Sequence, residues 1–472
     1  MPEPSPPLDL ASGTPLAKRL SAWMQDQRWF ASKSRALTEL QIVDLVGVPD
    51  PHSPLMILIA QADFRSGPPE LYQLPLVTRA DSIPPDREAI ARIDDHTQLL
   101  DALIDPAACT QLVSAFASNS VITGRAGQLS FHRPDPDRNV PADATARAMG
   151  AEQSNSSIVF DERLVLKIFR RIEPGTNPEV EMTRFLTEHG FTGVADLAGH
   201  YEYTGGALEA TLGALQEYVA DARDGWTLAL NAISADDETF LTRLGELGVA
   251  TAQMHNTLAS DPVDPAFAPE PAPPDITDRL RSGLRQQIDT TFANLPDTAL
   301  LRALKDCERE LRSRTDRLPA LEDGGQLLRI HGDYHLGQTI HAGRRWTILD
   351  FEGEPDRPLH ERRRKESPLR DVAGMLRSFA YADASARQPS DAASAGWERA
   401  ARRQFLDGYL RAINPALLPP QPGSLSRLLT LFELHRAVYE LRYELDHRPD
   451  WIHVPLAGIT ALMEDTAAVG RR

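Results

Sequence analysis

The chain has 472 residues, too many for one ordinary domain, and its 42% hydrophobic and 25% charged residues are typical of a folded globular protein. The formal net charge of −17 argues against nucleic acid as a partner, because phosphate backbones are met by an excess of lysine and arginine. No apolar run of about 18 residues occurs, so we expect no membrane span. The proline-rich start from Met1 to Asp9 does not look like a secretory signal, and only two cysteines occur, so we expect a cytoplasmic protein.

The first 95 residues predict a small α+β unit. An apolar helical pattern begins at Leu16 and continues through Leu20 and Met24. Turn residues then separate three strand-like runs, at Leu40–Val48, Leu55–Ala62 and Glu70–Leu76.

Residues 96–220 predict a second unit, rich in strands. Ile158–Phe160 and Leu164–Phe169 are expected to form a hairpin. A helix is predicted to start at Asn177–Pro178, because asparagine caps free N–H groups and proline fits the first helical position, and to stop at Gly190.

Residues 221–472 predict a mostly helical unit. One apolar stripe runs from Phe240 to Leu258, and a proline-rich linker follows at Pro262–Pro274. Strands are expected at Leu327–Ile330 and Trp346–Phe351. A small β-rich lobe followed by a larger helical lobe is therefore predicted, an α+β bilobal fold.

The segment from His331 to Gln338 carries the sharpest chemical signal. Phosphoryl transfer from ATP needs a carboxylate that orients the acceptor hydroxyl and takes its proton, and a further group that holds a metal ion. Asp333 and Gln338 are five positions apart, as the base and the metal-binding amide are in kinase catalytic loops. The amide oxygen of glutamine is a hard ligand that suits Mg²⁺.

A second acidic segment follows twelve residues later. Asp350 ends an apolar run, which is where kinases place the carboxylate that binds Mg²⁺, and Glu352 is a second candidate. Either segment alone fits an ordinary turn equally well. Their order and separation together favour the kinase interpretation.

Upstream residues fit the nucleotide. Lys167 is the one lysine in an apolar strand, the context of a lysine that binds the α- and β-phosphates. Glu179 and Glu181 begin the next helix, and either could pair with this lysine. Because acids are also favourable at a helix N-terminus for electrostatic reasons, we assign Glu179 to capping and prefer Glu181 for the pair.

A glycine-rich loop is missing before Lys167, and a short polar run stands in its place. Backbone N–H groups and hydroxyls can hold phosphates there, although most such runs are only turns. The candidates are Gln153, Ser154, Ser156 and Ser157. Glu217 and Val219, at the end of a later apolar strand, are candidates for contacts to adenine.

The sequence resembles the aminoglycoside-phosphotransferase-like branch of the protein-kinase fold and, more closely, the bacterial maltokinases. The blocks that carry this resemblance are Gln27–Phe30, Glu152–Ser157, Val165–Arg171, His331–Gln338, Asp350–Pro355, Ser367–Ser378 and Arg448–Trp451. The resemblance implies an N-terminal cap subdomain at 1–95, an intermediate nucleotide-binding subdomain at 96–220 and a helical C-lobe at 221–472. It also implies ATP and Mg²⁺ as cofactors, and maltose phosphorylated at its anomeric hydroxyl to maltose 1-phosphate for α-glucan synthesis. We expect a monomer.

The resemblance further points to a sugar site on a late helix. Its candidates share one helix face at spacings of four, seven and eight residues: His435, Tyr439, Arg442 and Tyr443. Two tyrosines there could stack on sugar rings, although the residues without the resemblance favour ordinary core tyrosines with polar tips. His335 is a further candidate for sugar contact, or else a brace for the catalytic loop.

One departure leaves the acceptor open. Maltokinases carry an acid–lysine pair where His435-Arg436 stands here. The alternatives are a kinase for glucosamine or another sugar, an aminoglycoside kinase, and a pseudokinase that serves as a binding module. The joint presence of Lys167, Asp333, Gln338 and Asp350 speaks against the last.

Overall fold

The computed structural model of the protein describes residues 14–49, 55–80, 89–149, 155–293, 300–317, 323–386 and 395–469. The chain forms two compact units. The first comprises Met1–Thr187 and Ala195–Ala220, and the second comprises Glu188–Val194 and Asp221–Arg472. The first is rich in strands and the second in helices, so the predicted α+β bilobal fold is confirmed. Throughout the described ranges, every helix is too short or too polar to cross a membrane.

The first unit opens with a helix and an antiparallel sheet. Thr14 caps the helix by accepting from the Ala17 N–H. The elements are α1 (Pro15–Asp26), β1 (Leu37–Val48), β2 (Leu55–Phe64), β3 (Glu70–Ala80), β4 (Ala91–Arg92) and β5 (Thr97–Asp101). The strands are ordered β1-β2-β3-β5-β4. The predicted helix and three strands are confirmed here.

A second sheet completes this unit. Its elements are α2 (Pro106–Ala117), β6 (Val121–Thr123), β7 (Gln128–His132), β8 (Ala146–Ala148), β9 (Asn155–Phe160), β10 (Leu164–Phe169), β11 (Arg171–Ile172), α3 (Pro178–Glu188), β12 (Leu197–Gly205) and β13 (Leu208–Glu217). The order is β6-β7-β12-β13-β10-β9-β8, while β11 pairs with β3 of the first sheet. The β9–β10 hairpin is confirmed, and its turn uses left-handed backbone at Asp161 and Glu162 (φ 51° and 52°).

The second unit is mostly helical. Its elements are β14 (Arg223–Asp224), α4 (Gly225–Ala235), α5 (Thr239–Leu258), β15 (Glu270–Pro271), α6 (Ile276–Phe292), α7 (Leu300–Arg317), β16 (Gln326–Leu327), β17 (Thr339–Ala342), β18 (Arg345–Ile348), α8 (Leu359–Arg362), α9 (Leu369–Ala386), α10 (Ala395–Ala412), α11 (Pro422–His447) and α12 (His453–Val469). Strands β14, β17 and β18 form a small antiparallel sheet.

Two strand predictions in this unit are wrong in extent. The strand expected at Leu327–Ile330 is the two-residue β16 with one further bridge at Leu328. The strand expected at Trp346–Phe351 ends at Ile348. Asp350 has φ 65°, a left-handed conformation that no strand accommodates, so the chain turns before the acidic residue.

Glycines allow α5 and α10 to approach closely. A Cβ on Gly408 would collide with the carbonyl oxygen of Gly245, and one on Gly248 would collide with that of Phe405. This contact fixes α5 so that Thr251 and His255, both fully buried, reach residues of α10 and of the His331–Gln338 segment.

Candidate active site

The catalytic loop is held by one buried carboxylate. Asp371 lies in the first turn of α9. Its Oδ2 accepts from the His331 N–H at 2.8 Å, and its Oδ1 accepts from the Gly332 N–H at 2.9 Å. Both bonds are charge-assisted and fix the two residues before Asp333. Gly332 has φ 85°, which explains a glycine at this position.

A second layer supports Asp371. The His255 Nε2 atom lies 3.1 Å from its carboxylate, and the Tyr409 hydroxyl lies 3.0 Å from His255 Nδ1. Burial would raise the pKa of Asp371, but the hydrogen bond and charge of His255, with the Gly332 N–H, lower it below its usual value. The loop is therefore tied to an ionised carboxylate inside the helical unit.

His331 links the base to the acidic segment. Its Nε2–H donates to the Leu349 carbonyl at 2.8 Å, so Nδ1 of the neutral ring is free to accept the Asp333 N–H at 3.3 Å. The Tyr334 hydroxyl, on the other side of Asp333, lies 2.8 Å from Thr251 Oγ1. These contacts fix the backbone on both sides of Asp333.

Asp333 itself contacts a guanidinium group. Arg436 Nη1 on α11 lies 3.1 Å from Asp333 Oδ1 and 3.4 Å from a Glu354 carboxylate oxygen. Burial would lower the pKa of Arg436, but Asp333, Glu440 and Glu354 outweigh it and raise the pKa. Arg436 therefore stays charged beside the proposed base.

His335, a predicted sugar contact, also makes a hydrogen bond within the catalytic loop. Its Nδ1 accepts the Gly337 N–H at 3.1 Å, and its Nε2 lies 4.0 Å from Asp333 Oδ2. Burial lowers the pKa of His335, and the charge of Asp333 opposes that effect only in part. The neutral ring therefore braces the loop and directs an N–H toward the base. Its sugar contact stays a prediction.

The β17–β18 hairpin brings the predicted metal ligands together. The Leu349 N–H donates to the Gln338 carbonyl at 2.9 Å, and the Gln338 side-chain amide donates to Asp350 Oδ2 at 3.0 Å. Glu352 lies two residues on, and its backbone carbonyl accepts from Arg362. The amide nitrogen, not the amide oxygen, of Gln338 faces Asp350, so the two side chains are neighbours and their oxygen atoms are of the hard type that suits Mg²⁺ once the amide is turned. Their role as ligands stays a prediction.

A cavity of about 650 Å³ lies in the helical unit next to the catalytic loop. Gly332 and Tyr334, the neighbours of Asp333, line it together with Arg436. Of the predicted sugar residues, His435, Tyr439 and Arg442 also line it. The wall contains six arginines: Arg279, Arg357, Arg364, Arg370, Arg436 and Arg442. It contains three acidic residues: Glu354, Glu361 and Asp371.

The structure gives the helix-face residues different surroundings. The His435 ring is held by Gln287 at 2.8 Å and by the Leu280 carbonyl at 2.7 Å, both on α6. Burial lowers its pKa to about 4, so it is neutral at pH 7. The Tyr439 hydroxyl lies 3.5 Å from Asp356, and the Arg436 guanidinium lies over the Tyr439 ring.

Tyr443 departs from the predicted face. Its side chain is exposed, its ring stacks on His447 at 4.5 Å, and it is not among the residues that line the cavity. Eight residues rotate by about 800° around an α-helix axis, about 80° beyond two full turns, so Tyr443 lies to one side of His435. Tyr439 therefore lines the cavity whereas Tyr443 does not, and a sugar contact by Tyr443 stays a prediction.

In the first unit, Lys167 contacts Glu179, the glutamate that the sequence assigned to capping. Lys167 Nζ lies 3.8 Å from Glu179 Oε2. The other carboxylate oxygen of Glu179 accepts from the Gln216 amide at 3.0 Å. Glu179 is buried, and Asn177 caps its N–H at 2.8 Å. The interpretation of Glu179 as a simple capping acid is therefore corrected. Glu181 is also buried, and its place in the pair stays a prediction.

The predicted polar phosphate loop is only partly described. Gln153 and Ser154 lie outside the described residues. Ser156 and Ser157 belong to β9 rather than to a loop, and Ser157 stands opposite Lys167 in the β9–β10 register. The Ser156 hydroxyl accepts from Arg170 at 2.9 Å, so a strand contact uses it.

The predicted adenine contacts lie at the end of β13. Glu217 is its last residue, and Val219 follows two positions on, partly buried. The Glu217 N–H donates to the Asp196 carbonyl at 3.0 Å. The expected position at a strand end is confirmed, whereas the contact to adenine stays a prediction.

Sequence reasoning missed Arg436, Asp371 and His255 as site residues. Asp371 stands in the Ser367–Ser378 block, which carries the resemblance, but no local pattern connects it to a loop 40 positions earlier in the chain. A histidine on the buried stripe of α5 was a weak signal, since buried histidines mostly satisfy the core.

The fold and this loop define a phosphotransferase of the protein-kinase-like class. A solved glucosamine kinase with glucosamine, ADP and inorganic phosphate superposes with a TM-score of 0.63 at 24% identity, covering 90% of this chain and 94% of that one. A second crystal form of a glucosamine kinase gives 0.64 at 23% identity, covering 92% and 96%. These two structural similarities show that this chain shares the fold of those kinases.

Comparison of the sequence identifies the family. The profile of the phosphotransferase enzyme family matches residues 143–412, more than half of the chain, and that of the maltokinase N-terminal cap domain matches residues 23–105. The chain belongs to the phosphotransferase enzyme family and carries this cap domain.

Individual relatives are glucosamine kinases. That of Streptacidiphilus jiangxiensis is 29% identical over 333 residues, 68% of this chain and 74% of its own length. That of Mycolicibacterium smegmatis is 27% identical over 335 residues, 68% of this chain and 80% of its own. The predicted maltokinase-like resemblance is thus confirmed at the level of the family and the cap.

Proposed function

We propose that this protein is an ATP-dependent sugar kinase that transfers the γ-phosphoryl group to the anomeric hydroxyl of maltose, with maltose 1-phosphate and ADP as products. The observation that carries the proposal is Asp333 held by Arg436 beside a cavity of about 650 Å³. This volume lies within the ~300–1,000 Å³ usual for small-molecule sites.

Asp333 acts as the base in this proposal. One carboxylate oxygen accepts from Arg436, so the other is available to the acceptor hydroxyl and takes its proton as the O–P bond forms. The backbone on both sides is fixed by Asp371, His331 and Thr251. Positioning of this kind supplies much of the rate in phosphoryl transfer.

Asp350 and Gln338, with Glu352, would hold Mg²⁺ through oxygen atoms. When bound, the ion neutralises charge on the β- and γ-phosphates of ATP. Lys167, steadied by Glu179, would bind the α- and β-phosphates. Its ammonium group contributes a fixed positive charge to that end of the nucleotide.

The charges of the cavity wall favour a neutral acceptor over an amino sugar. Glu354 is shared among Arg357, Arg370 and Arg436, and both oxygens of Asp371 are used by the catalytic loop. An ammonium group would therefore meet guanidinium groups near the base. Maltose offers hydroxyls instead, which accept from guanidinium and donate to carboxylate.

Glucosamine is the second candidate acceptor. The 29% identical relative from Streptacidiphilus jiangxiensis favours it, and Glu361 on the cavity wall could receive an ammonium group. A Glu361→Gln variant separates the two. It would raise the KM for glucosamine at least tenfold if that carboxylate binds the amine, and would leave a neutral sugar almost unaffected.

A panel of acceptors tests the proposal. ADP release is measured with ATP and Mg²⁺ in the presence of maltose, glucosamine or kanamycin. We expect the highest kcat/KM with maltose, and ³¹P NMR of the product should show an anomeric phosphate. A higher kcat/KM with glucosamine would replace the first candidate by the second, and nucleotide binding without turnover on any acceptor would support a binding module.

A further inference from the structure

Two histidines and a glutamate meet on one face of the second sheet of the first unit. Strands β7 and β12 are antiparallel neighbours, and His132 stands directly opposite His200. Glu202 is two residues after His200, so its side chain lies on the same face. Direct cross-strand partners have Cβ atoms about 4.5–5.5 Å apart, close enough for long side chains to converge.

The side chains do converge. The two imidazole rings stack with centroids 4.9 Å apart, and His132 Nε2 lies 3.1 Å from Glu202 Oε1. One donor atom from each of the three residues lies within 4.8 Å of the others. Ligand atoms around a tetrahedral Zn²⁺ stand about 3.3 Å apart, as follows from Zn–N distances of about 2.0–2.1 Å. Metal binding would therefore draw the three donor atoms together from at most 4.8 Å through rotation of the side chains.

His200 is prepared to act as a ligand. Its Nδ1 atom is buried and has no hydrogen-bond partner within the described ranges. Neutral imidazole binds a metal ion through a ring nitrogen that has no other partner, so this buried nitrogen itself points to a missing ligand.

We propose that His132, His200 and Glu202 form a binding site for a divalent transition-metal ion of the zinc class, with water completing the coordination. Two imidazole nitrogens and one carboxylate suit borderline metals better than Mg²⁺, which prefers oxygen alone. The site lies on β7 and β12, whereas Lys167 lies on β10, with β13 between β12 and β10, so it is separate from Lys167. The metal would cross-link two strands and raise the stability of this unit.

The alternative is a metal-free contact in which His132 pairs with Glu202 and stacks on His200. Such a contact also joins the strands, although exposed pairs contribute little to stability. The metal site and the metal-free contact therefore predict different results when the protein is titrated with a metal ion.

The test uses the full chain, stripped with a chelator and titrated with ZnCl₂ against a chromophoric chelator at pH 7.5. His132→Ala and Glu202→Gln are the test variants, because both side chains are partly exposed and neither change empties the core. His96→Ala, at an exposed position of the same unit, is the control. The thermal unfolding midpoint is recorded with and without Zn²⁺.

We expect wild type and His96→Ala to bind one more equivalent of Zn²⁺ than the two test variants, or to bind it at least tenfold more tightly. We also expect Zn²⁺ to raise their unfolding midpoint more than that of the test variants. Equal stoichiometry, affinity and midpoint shift in all four proteins would overturn the proposal in favour of the metal-free contact.

Discussion

Arg436 Nη1 lies 3.1 Å from Oδ1 of Asp333, although the two residues are 103 positions apart in the chain. Arg436 also contacts Glu354 and Glu440, and Glu440 accepts from the buried Arg377 at 2.8 Å. The proposed base is therefore one end of a chain of alternating charges that runs into the core of the helical unit. Such a chain fixes the carboxylate without removing its charge.

Replacing Arg436 by glutamine should lower kcat/KM for maltose about 10–100-fold. The partly buried carboxylates of Asp333 and Glu354 would lose the cation between them, so the orientation of Asp333 would no longer be fixed from α11. The loss of positive charge should also raise the ratio of kcat/KM for glucosamine over maltose. Steady-state kinetics with both sugars measure the two effects. Arg427→Gln on the same helix is the control, and an equal change in it would contradict the role of Arg436.

Asp371→Asn should reduce kcat about 100-fold while changing the KM for ATP little. An asparagine has one acceptor oxygen, so one of the two loop N–H groups would face an NH₂ group instead of a carboxylate. A buried donor left unsatisfied costs about 1–3 kcal/mol, which should also lower the thermal unfolding midpoint. Asp407→Asn, at an exposed position of α10, serves as the comparison. A full kcat in Asp371→Asn would show that the loop does not depend on this anchor.

Lys167→Met should raise the KM for ATP at least tenfold, with a smaller effect on the KM for the acceptor. The variant keeps the length of the side chain but removes the ammonium group that pairs with Glu179. Nucleotide binding followed by isothermal titration calorimetry gives the affinity directly. Lys33→Met, on the surface of the same unit, controls for loss of one charge. Unchanged ATP affinity in Lys167→Met would remove Lys167 from the nucleotide site.

Acid should destabilise the helical unit through His435. Its folded pKa is about 4, below the ordinary value of 6.5, so the unfolded chain binds the extra proton first. Above pH 6.5 the His435 ring is neutral in both states and does not lower the free energy of unfolding. As the pH falls toward 4, the unfolded chain gains the proton first, and the free energy of unfolding is lower by about 2 kcal/mol at pH 5. In His435→Gln the free energy of unfolding should therefore fall less between pH 7 and pH 5 than in the wild type, as measured by urea unfolding. The control variant His447→Gln should show the same fall as the wild type. A wild-type fall in His435→Gln would contradict a neutral His435 ring in the folded protein.

The sequence predicted the parts of the site that follow one another along the chain. The β9–β10 hairpin, the helix beginning at Pro178 and the spacing of Asp333, Gln338 and Asp350 all follow from local rules of turn, cap and loop. The hairpin of β17 and β18 then placed two of these residues within hydrogen-bond distance, as their order implied.

Contacts between distant segments could not be predicted in this way. Arg436 and Asp371 meet the catalytic loop through the packing of α9 and α11, which no local pattern specifies. The contact of Lys167 with Glu179 depends on the direction of α3 relative to β10, which no local pattern specifies. Tyr443 shows the same limit, because an offset of about 80° from His435 around the helix axis accompanies its absence from the cavity wall.

The most direct test of the account compares maltose phosphorylation by the wild-type protein and by Asp333→Ala, with ATP and Mg²⁺ in excess. The wild type should release ADP in proportion to a maltose product phosphorylated at the anomeric position. Asp333→Ala should lose at least 1,000-fold in kcat, as removal of an essential base and positioning group implies, while its far-UV circular dichroism is unchanged. Near-normal turnover in Asp333→Ala would contradict the assignment of the base and of the site built around it.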